Sequence, residues 1–137
     1  MLHKVYLSLG TNLGNRPDNI REAITLIAHR IGEVERQSSF IETKPWGFSS
    51  PNDFVNACVL VSTALAPRQL LEATQRIEQD MGRVGKSSGG TYHDRIIDID
   101  ILLYDDLHID EPDLHIPHPL MKERDFVMIP LKEILSK

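Results

Sequence analysis

The most regular pattern in the sequence is Asp94-Arg95-Ile96-Ile97-Asp98-Ile99-Asp100-Ile101-Leu102-Leu103-Tyr104. From Ile96 to Tyr104 it alternates between an apolar set of side chains and a second set that contains Asp98 and Asp100. Successive side chains of a β-strand point to opposite faces of the sheet. The pattern therefore predicts a strand with one face toward the core and both carboxylates together on the other face.

The segments on either side of this strand complete a recognisable order of elements. Apolar residues recur at helical spacing in two segments, and each of these has a proline near its start and a glycine at its end. The earlier elements are predicted as a strand at 4–9 broken by Gly10, a helix from Arg16 to Ile31, a strand at 33–42, a strand at 54–63 and a helix from Pro67 to Met81. The order βαββαβ predicts an α+β, ferredoxin-like sandwich. Its sheet should be mainly antiparallel, with helices covering one face.

The segment after the predicted strand at 96–104 is expected to be less regular. Asp105-Asp106 predicts a turn into a short strand at 107–109. One or two short helices should follow from Met121 to Leu135, broken at Pro130 because proline removes a helical hydrogen bond.

Length and composition favour an ordinary globular enzyme or binding domain. The chain has 137 residues, which predicts a single domain over 1–137. A net charge of -5 argues against a general nucleic-acid binder, which needs clustered Lys and Arg. The lone cysteine, Cys58, lies in an apolar run, and no apolar run approaches the length needed to cross a bilayer. We therefore expect a cytoplasmic protein that binds neither nucleic acid nor membrane.

The paired carboxylates are the strongest sign of chemistry. Their Cα atoms should lie about 6.5–7 Å apart on one face, so oxygens from both can converge on one cation. The alternative is that they are solvent-facing residues of a half-exposed strand. Two like charges on a partly buried face repel unless a cation offsets them, and a few hard oxygen ligands suit Mg²⁺ better than zinc.

Basic residues near the ends of neighbouring elements can surround the same edge. They are Arg83, Lys86, Arg95, Lys122 and Arg124. Each alone is typical of a solvated surface, but together with paired carboxylates they are expected for phosphoryl transfer. The segment 83–95 contains three glycines and almost no apolar residue, which predicts a lid that closes over phosphates.

Two other motifs do not support an assignment. Gly85-Lys86-Ser87 resembles the end of a phosphate-binding P-loop, but Asp80 stands where its first glycine is required and a helix precedes it. His115-x-x-His118 lacks a compact set of further zinc ligands.

Several ordered motifs together resemble one enzyme family, that of 6-hydroxymethyl-7,8-dihydropterin pyrophosphokinase. The motifs are Tyr6 to Leu13, Ser38-Ser39-Phe40, Trp46-Gly47, Asp53-Phe54-Val55-Asn56-Ala57, Gln75-Arg76-Ile77-Glu78, Gly82-Arg83, Asp94 to Tyr104, Ile116-Pro117-His118-Pro119 and Arg124-x-Phe126. The resemblance implies transfer of diphosphate from ATP to the hydroxymethyl group of the reduced pterin, with release of AMP, in folate biosynthesis. It implies a monomer whose partners are ATP and the pterin.

The resemblance also implies roles for the residues that match those motifs. Asp98 and Asp100 would hold two Mg²⁺ ions against the ATP phosphates, and Asp100 would also orient or deprotonate the pterin hydroxyl. Arg83 and Arg95 would neutralise the phosphates.

For the pterin, the resemblance implies stacking between Phe54 and Phe126. Asn56 would hydrogen-bond the polar edge of the ring, and backbone groups near Thr43 and Trp46 would complete recognition. The alternation of the strand independently puts Phe54 and Asn56 on one face.

For ATP, the resemblance implies contacts from a larger set of residues. They are Gln75, Glu78, Lys86, Tyr92, Ile101, His118 and Arg124. The chain departs from the family pattern at Gly85, where many members have arginine, and at Tyr92, where tryptophan is common.

Two non-enzymatic alternatives share the predicted topology. A ferredoxin-like RNA-binding module should show exposed aromatics on its central strands within a basic surface, whereas this acidic chain has two aspartates there. A small-molecule sensor would bind ligand without magnesium-dependent turnover.

Overall fold

The structure is a computed structural model, and it describes residues 1–45, 51–82 and 96–135. Within these ranges the main sheet has five strands. They are β1 (His3–Thr11), β2 (Gly32–Gln37), β3 (Ile41–Thr43), β4 (Phe54–Thr63) and β5 (Asp98–Tyr104). The order across the sheet is β2-β4-β1-β5, with β3 also paired to β4, and all pairings are antiparallel.

In the same part of the chain, three α-helices and a small hairpin accompany this sheet. They are α1 (Arg16–Arg30), α2 (Pro67–Asp80) and α3 (Asp125–Leu135), with a hairpin of β6 (Ile109–Glu111) and β7 (Leu114–Ile116) and a short 3-10 helix at Met121–Glu123. The predicted α+β, ferredoxin-like fold is thus confirmed. No helix within the described ranges is long and apolar enough to cross a membrane.

The sheet is covered on both faces, whereas the sequence predicted helices on one face. Helices α1 and α2 pack on the side of Leu7, Val59 and Ile101, as expected. Helix α3 instead packs on the opposite side, where it meets Cys58 and Leu60 of β4. The reason is that β4 is apolar on both of its faces, so its second face also needs cover.

Two predicted strands differ from the observed ones at particular residues. The strand predicted at 33–42 is interrupted because Ser38 pairs with Cys58 through its side chain. The Ser38 amide donates to the Cys58 carbonyl, and the Ser38 hydroxyl accepts from the Cys58 amide, both at 2.9 Å. Strand β1 continues through Gly10 to Thr11, because Gly10 keeps partners on both neighbouring strands.

Strand β5 is shorter than predicted and contains an irregularity. It begins at Asp98, and its register with β1 shifts at Leu102, so that Tyr6 faces Leu103 and Leu7 faces Ile101. A bulge of this kind adds one residue and reverses the alternation beyond it. Leu103 therefore packs on the α3 side of the sheet, which corrects its predicted place beside Ile101.

The C-terminal segment also differs from its prediction. Pro130 lies inside α3 and does not break it. The buried residues Val127, Leu131 and Ile134 recur along the same side of the helix. Their burial offsets the hydrogen bond that proline removes. The short strand predicted at 107–109 is found at Ile109–Glu111, paired with β7.

Candidate active site

The paired carboxylates lie on the same face of β5, as the alternation predicted. Asp98 is in register with Gly10 of β1 and Asp100 with Ser8. Gly10 is in turn in register with Asn56 of β4, so Asn56, Gly10 and Asp98 form one row across the sheet. Two strand spacings separate the ends of this row, which is about 10 Å. Both aspartates are half-buried, and Asn56 is buried.

Gly10 keeps the middle of this row free of a side chain. A Cβ atom added there would lie 2.9 Å from Asn56 Oδ1 and 3.7 Å from Phe54 Cδ2. The first distance is shorter than a side chain tolerates without movement of its neighbour. Sequence reasoning treated Gly10 only as the end of a strand and missed this role. Its position opposite both Asn56 and Asp98 depends on strand register.

The predicted pterin residues on β3 and β4 lie together. The Asn56 side-chain nitrogen donates to the Thr43 hydroxyl at 2.7 Å, and Thr43 is in register with Phe54. This hydrogen bond fixes the orientation of the Asn56 amide. Phe54 is 9% exposed, so its ring is largely enclosed. The arrangement offers an oriented amide beside an aromatic surface.

Two further residues hold the chain that leads into Phe54. Arg16 donates to the Asp53 carbonyl at 2.8 Å and forms an ion pair with Glu42 at 2.7 Å. Asn12 donates to the Asn52 carbonyl at 3.2 Å. These residues surround a cavity of about 400 Å³. Sequence reasoning did not single out Arg16 or Asn12, since both look like ordinary residues of a turn and a helix start.

His118 and Arg124 lie near Asp98 at the other end of the site. Burial lowers the pKa of His118, the charge of Arg124 lowers it further, and the charge of Asp98 acts in the opposite direction. The charges of Arg124 and Asp98 thus both act on the His118 ring. His118 therefore favours its neutral form near pH 7.

Backbone hydrogen bonds around His118 hold its main chain and indicate the tautomer of its ring. Pro117 follows a cis peptide bond, and the His118 amide donates to the Leu102 carbonyl at 3.0 Å. The Leu120 amide donates to His118 Nδ1 at 3.3 Å. Because Nδ1 accepts this hydrogen bond, it carries no proton. In the neutral ring the proton is therefore on Nε2.

Phe126 is the second residue of α3, and its ring lies beside the Arg124 side chain. The Arg124 guanidinium lies 5.6 Å from the centre of the Phe126 ring, within the range of a cation–π interaction. Arg124 is 7% exposed and Phe126 is half-buried. The positive charge is therefore held at a fixed place beside an aromatic surface.

The other described residues predicted to bind ATP lie at the edge formed by α2 and β5. Gln75 is half-buried on α2. Glu78 is 6% exposed, and its Oε2 accepts from the Ile99 amide at 2.7 Å. The Ile101 side chain packs in the core below α1 and α2. A contact between Ile101 and a ligand on the aspartate face would thus have to use its backbone.

The remaining predicted site residues lie outside the described ranges. They are Trp46, Arg83, Lys86, Tyr92 and Arg95, together with the predicted lid at 83–95.

The carboxylates present fit a magnesium site that is completed by a ligand. In the described part of the chain, no group of three or more His, Cys, Asp or Glu is arranged to hold a metal ion. Magnesium bound with nucleotides commonly takes one or two carboxylates and fills its other positions with water and phosphate oxygens. Asp98 and Asp100, half-buried on one face, meet this requirement.

Comparison with known proteins gives a consistent result over almost the whole chain. Residues 6–136 match the family model of 7,8-dihydro-6-hydroxymethylpterin-pyrophosphokinase. A 2-amino-4-hydroxy-6-hydroxymethyldihydropteridine pyrophosphokinase of Porphyromonas gingivalis is 48% identical, over 95% of this chain and 89% of its own. The Bacillus subtilis protein of the same name is 41% identical, over 96% of this chain and 78% of its own.

A solved structure agrees in fold. It is described as HPPK-DHPS in complex with substrates, and it superimposes with a TM-score of 0.77 at 18% identity. The superposition covers 98% of this chain and 40% of that one. This chain therefore spans well under half the length of that protein, and the likeness concerns the fold.

Proposed function

Because this chain belongs to the 7,8-dihydro-6-hydroxymethylpterin-pyrophosphokinase family, we propose that the sheet face carrying Asp98 and Asp100 is its active site. The enzyme transfers diphosphate from ATP to the hydroxymethyl group of 6-hydroxymethyl-7,8-dihydropterin and releases AMP, in folate biosynthesis. The observation that carries the site assignment is the row of Asn56, Gly10 and Asp98, which sets a heterocycle-binding amide about 10 Å from a carboxylate pair.

Asp98 and Asp100 would hold two Mg²⁺ ions with the ATP phosphates. Magnesium bound there would neutralise negative charge on the phosphates and on the leaving group. The common face and half-buried setting of the two carboxylates support this assignment. Before the ligands bind, two neighbouring carboxylates repel each other, which favours uptake of a cation.

The pterin would bind at Phe54, Asn56 and Phe126. The Asn56 amide is oriented by Thr43, so its carbonyl oxygen can accept from the amino edge of the ring. Phe54 and Phe126 offer aromatic surfaces for stacking. Backbone groups near Thr43 and Trp46 would complete the recognition of the ring edge.

Positive and polar side chains would bind the nucleotide. The protonated Nε2 of neutral His118 would donate to a phosphate oxygen, and Arg124 would add a positive charge beside it. Arg83, Arg95 and Lys86 would neutralise the triphosphate. Gln75, Glu78, Tyr92 and Ile101 would line the nucleotide along α2 and the edge of β5.

The reaction is one displacement at the β-phosphorus. The pterin hydroxyl oxygen forms the new bond to this phosphorus, while the bond to the oxygen that bridges the α- and β-phosphorus breaks. AMP leaves with the bridging oxygen and its electron pair. Asp100 would accept the hydroxyl proton, the role that the family resemblance implies for this carboxylate. Atoms and charge then balance with one proton released.

The organisation of the protein follows as a set of further proposals. We expect a single domain over 1–137 that acts as a monomer in the cytoplasm. Burial of Cys58 is compatible with a reducing compartment, because the thiol has no partner for a disulfide within this sequence.

One assay tests the function and separates it from ligand sensing. The protein is mixed with ATP, Mg²⁺ and the reduced pterin, and AMP and pterin diphosphate are quantified over time. We expect equal amounts of both products, and none when EDTA removes the metal. A sensor would bind the ligands and produce no AMP, and that result would overturn the enzyme assignment.

A further inference from the structure

Glu78 touches the backbone between the two aspartates. Its Oε2 accepts from the amide of Ile99, the residue that separates Asp98 and Asp100, at 2.7 Å. Glu78 is 6% exposed and lies on the buried side of α2, next to Ile77 and one turn after Thr74. A carboxylate is unfavourable in such a place unless it is well hydrogen-bonded. The position of Glu78 therefore requires an explanation beyond packing.

Among the described residues, the strand that carries the aspartates lies at the edge of the sheet. In the described part of the chain, β1 is the only strand that pairs with β5. The outer backbone groups of an edge strand have no strand partner. Glu78 supplies a partner to one of these groups, and the His118 amide supplies one to the Leu102 carbonyl further along.

The hydrogen bond from Ile99 controls one particular peptide unit. The amide of Ile99 and the carbonyl of Asp98 belong to the same trans peptide, so they point in opposite directions. With its amide directed at Glu78, this peptide turns the Asp98 carbonyl toward β1. The first peptide of β5 is thus held from both sides, and its rotation would alter the distance between the two carboxylates.

We propose that Glu78 is a positioning residue for the Asp98–Asp100 pair. Through the Ile99 amide it fixes the start of β5, and so it sets how well the two carboxylates bind a divalent cation together with ATP. The inference rests on the proposed function, in which this pair holds magnesium. Outer partners that orient metal ligands typically change metal affinity about 10- to 100-fold when they are removed.

Two variants separate the reach of Glu78 from its charge. Glu78→Gln keeps the length and a carbonyl acceptor but loses the charge. Glu78→Asp keeps the charge but is shorter by one methylene group, so it cannot reach the Ile99 amide. Tyr104→Phe is the matched control, since it removes the 2.7 Å hydrogen bond from Tyr104 to the Leu65 carbonyl at the far end of the same strand.

The measurements do not depend on turnover. Calorimetry gives the affinity of a non-hydrolysable ATP analogue as a function of Mn²⁺ concentration, and NMR hydrogen exchange gives the protection of the Ile99 amide without metal. For Glu78→Asp we expect loss of protection at Ile99 and a metal requirement raised about tenfold or more. Tyr104→Phe should keep the metal dependence of the wild type, and Glu78→Gln should be impaired less than Glu78→Asp.

Three results would overturn the inference. In the first, Glu78→Asp loses the hydrogen-exchange protection of the Ile99 amide, but the Mn²⁺ concentration needed to bind the ATP analogue is unchanged. Another is a metal requirement raised as much or more in Glu78→Gln than in Glu78→Asp, which would show that reach to the Ile99 amide does not govern the effect. The last is a Tyr104→Phe metal requirement raised as much as that of Glu78→Asp, which would indicate general loosening of β5.

A reference variant distinguishes failure of the inference from failure of the proposed function. Asp100→Asn should abolish the metal dependence of nucleotide binding if the carboxylate pair holds the cation. If Asp100→Asn keeps that dependence, the magnesium site is misassigned and the inference falls with it. If Asp100→Asn loses it and Glu78→Asp does not, only the inference fails.

Discussion

Gly10 shows how a residue without a side chain can shape the active site. It lies in the row between Asn56 and Asp98, and a Cβ atom at this position would lie 2.9 Å from Asn56 Oδ1. Because Asn56 is tied to Thr43, it cannot move aside without losing that hydrogen bond. The available space at Gly10 is therefore part of the proposed pterin site.

We predict that Gly10→Ala weakens pterin binding and leaves ATP binding intact. The added methyl group should displace the Asn56 amide, and overpacking of about 1–3 kcal/mol corresponds to roughly 5- to 150-fold in affinity. Calorimetry with each ligand separately provides the measurement, with ATP as the internal control. Unaltered pterin affinity would show that the ring binds elsewhere.

Asn56 and Thr43 should act as one unit in pterin recognition. We predict that Asn56→Ala weakens pterin binding about tenfold or more, because it removes the group that pairs with the ring edge. Thr43→Val should weaken it less, and should add nothing in the Asn56→Ala background. Additive effects in this double-mutant cycle would contradict the idea that Thr43 works by orienting Asn56.

At the scale of single residues, alternation along a strand carried most of the predictive information. It placed Asp98 with Asp100 and Phe54 with Asn56, each pair on one face. It could not reveal that Glu78 bonds to Ile99, because this contact depends on how α2 packs against the edge of β5. Likewise, the role of Gly10 depends on strand register, which alternation along a single strand does not reveal.

Secondary-structure elements were predictable where their hydrophobic period was regular. Strand β4 and the start of both long helices are found where they were expected. The errors occur where a local interaction overrides the pattern, as at Ser38, at the bulge near Leu102 and at Pro130. Burial of α3 against β4 decided the last of these, since it compensates for the hydrogen bond lost at proline.

Cys58 is buried where α3 packs on β4, so the reactivity of the Cys58 thiol measures whether this packing is intact. Burial raises the pKa of Cys58 to about 12, although a hydrogen bond with Ser8 acts in the opposite direction. Its sulfur also contacts the Val127 carbonyl at 3.7 Å. The native thiol is therefore uncharged at neutral pH and shielded from reagents.

We predict that native Cys58 reacts with a thiol reagent at pH 8 roughly a thousandfold more slowly than the unfolded chain, because thiolate is the reacting species. The raised pKa also means that stability falls as pH rises above 9.0, where the unfolded thiol ionises and the folded one does not. Reaction rates with and without denaturant provide the test, and Cys58→Ala is the blank. Fast labelling of the native protein would mean that α3 does not cover β4.

At the scale of the whole molecule, the fold brings together residues that are far apart in the sequence. The described part of the site draws on Gly10 of β1, Asn56 of β4, Asp98 of β5 and Arg124 just before α3. The order βαββαβ was sufficient to predict the antiparallel sheet. The approach of His118 and Arg124 to Asp98 was predictable only through family resemblance, since both lie in irregular segments after the hairpin.

We propose that the Asp98–Asp100 pair is essential for the magnesium-dependent transfer of diphosphate. The direct test is the rate of AMP formation under single-turnover conditions for Asp98→Ala, Asp100→Ala and the control Asp106→Ala, an exposed aspartate in the turn after β5. Thermal unfolding of each variant checks that it is folded. We predict at least roughly a hundredfold loss for Asp98→Ala and Asp100→Ala, as expected when a preorganised electrostatic group is removed. Asp106→Ala should keep the wild-type rate, and a near-normal rate in folded Asp98→Ala or Asp100→Ala would show that this pair is not the catalytic metal site.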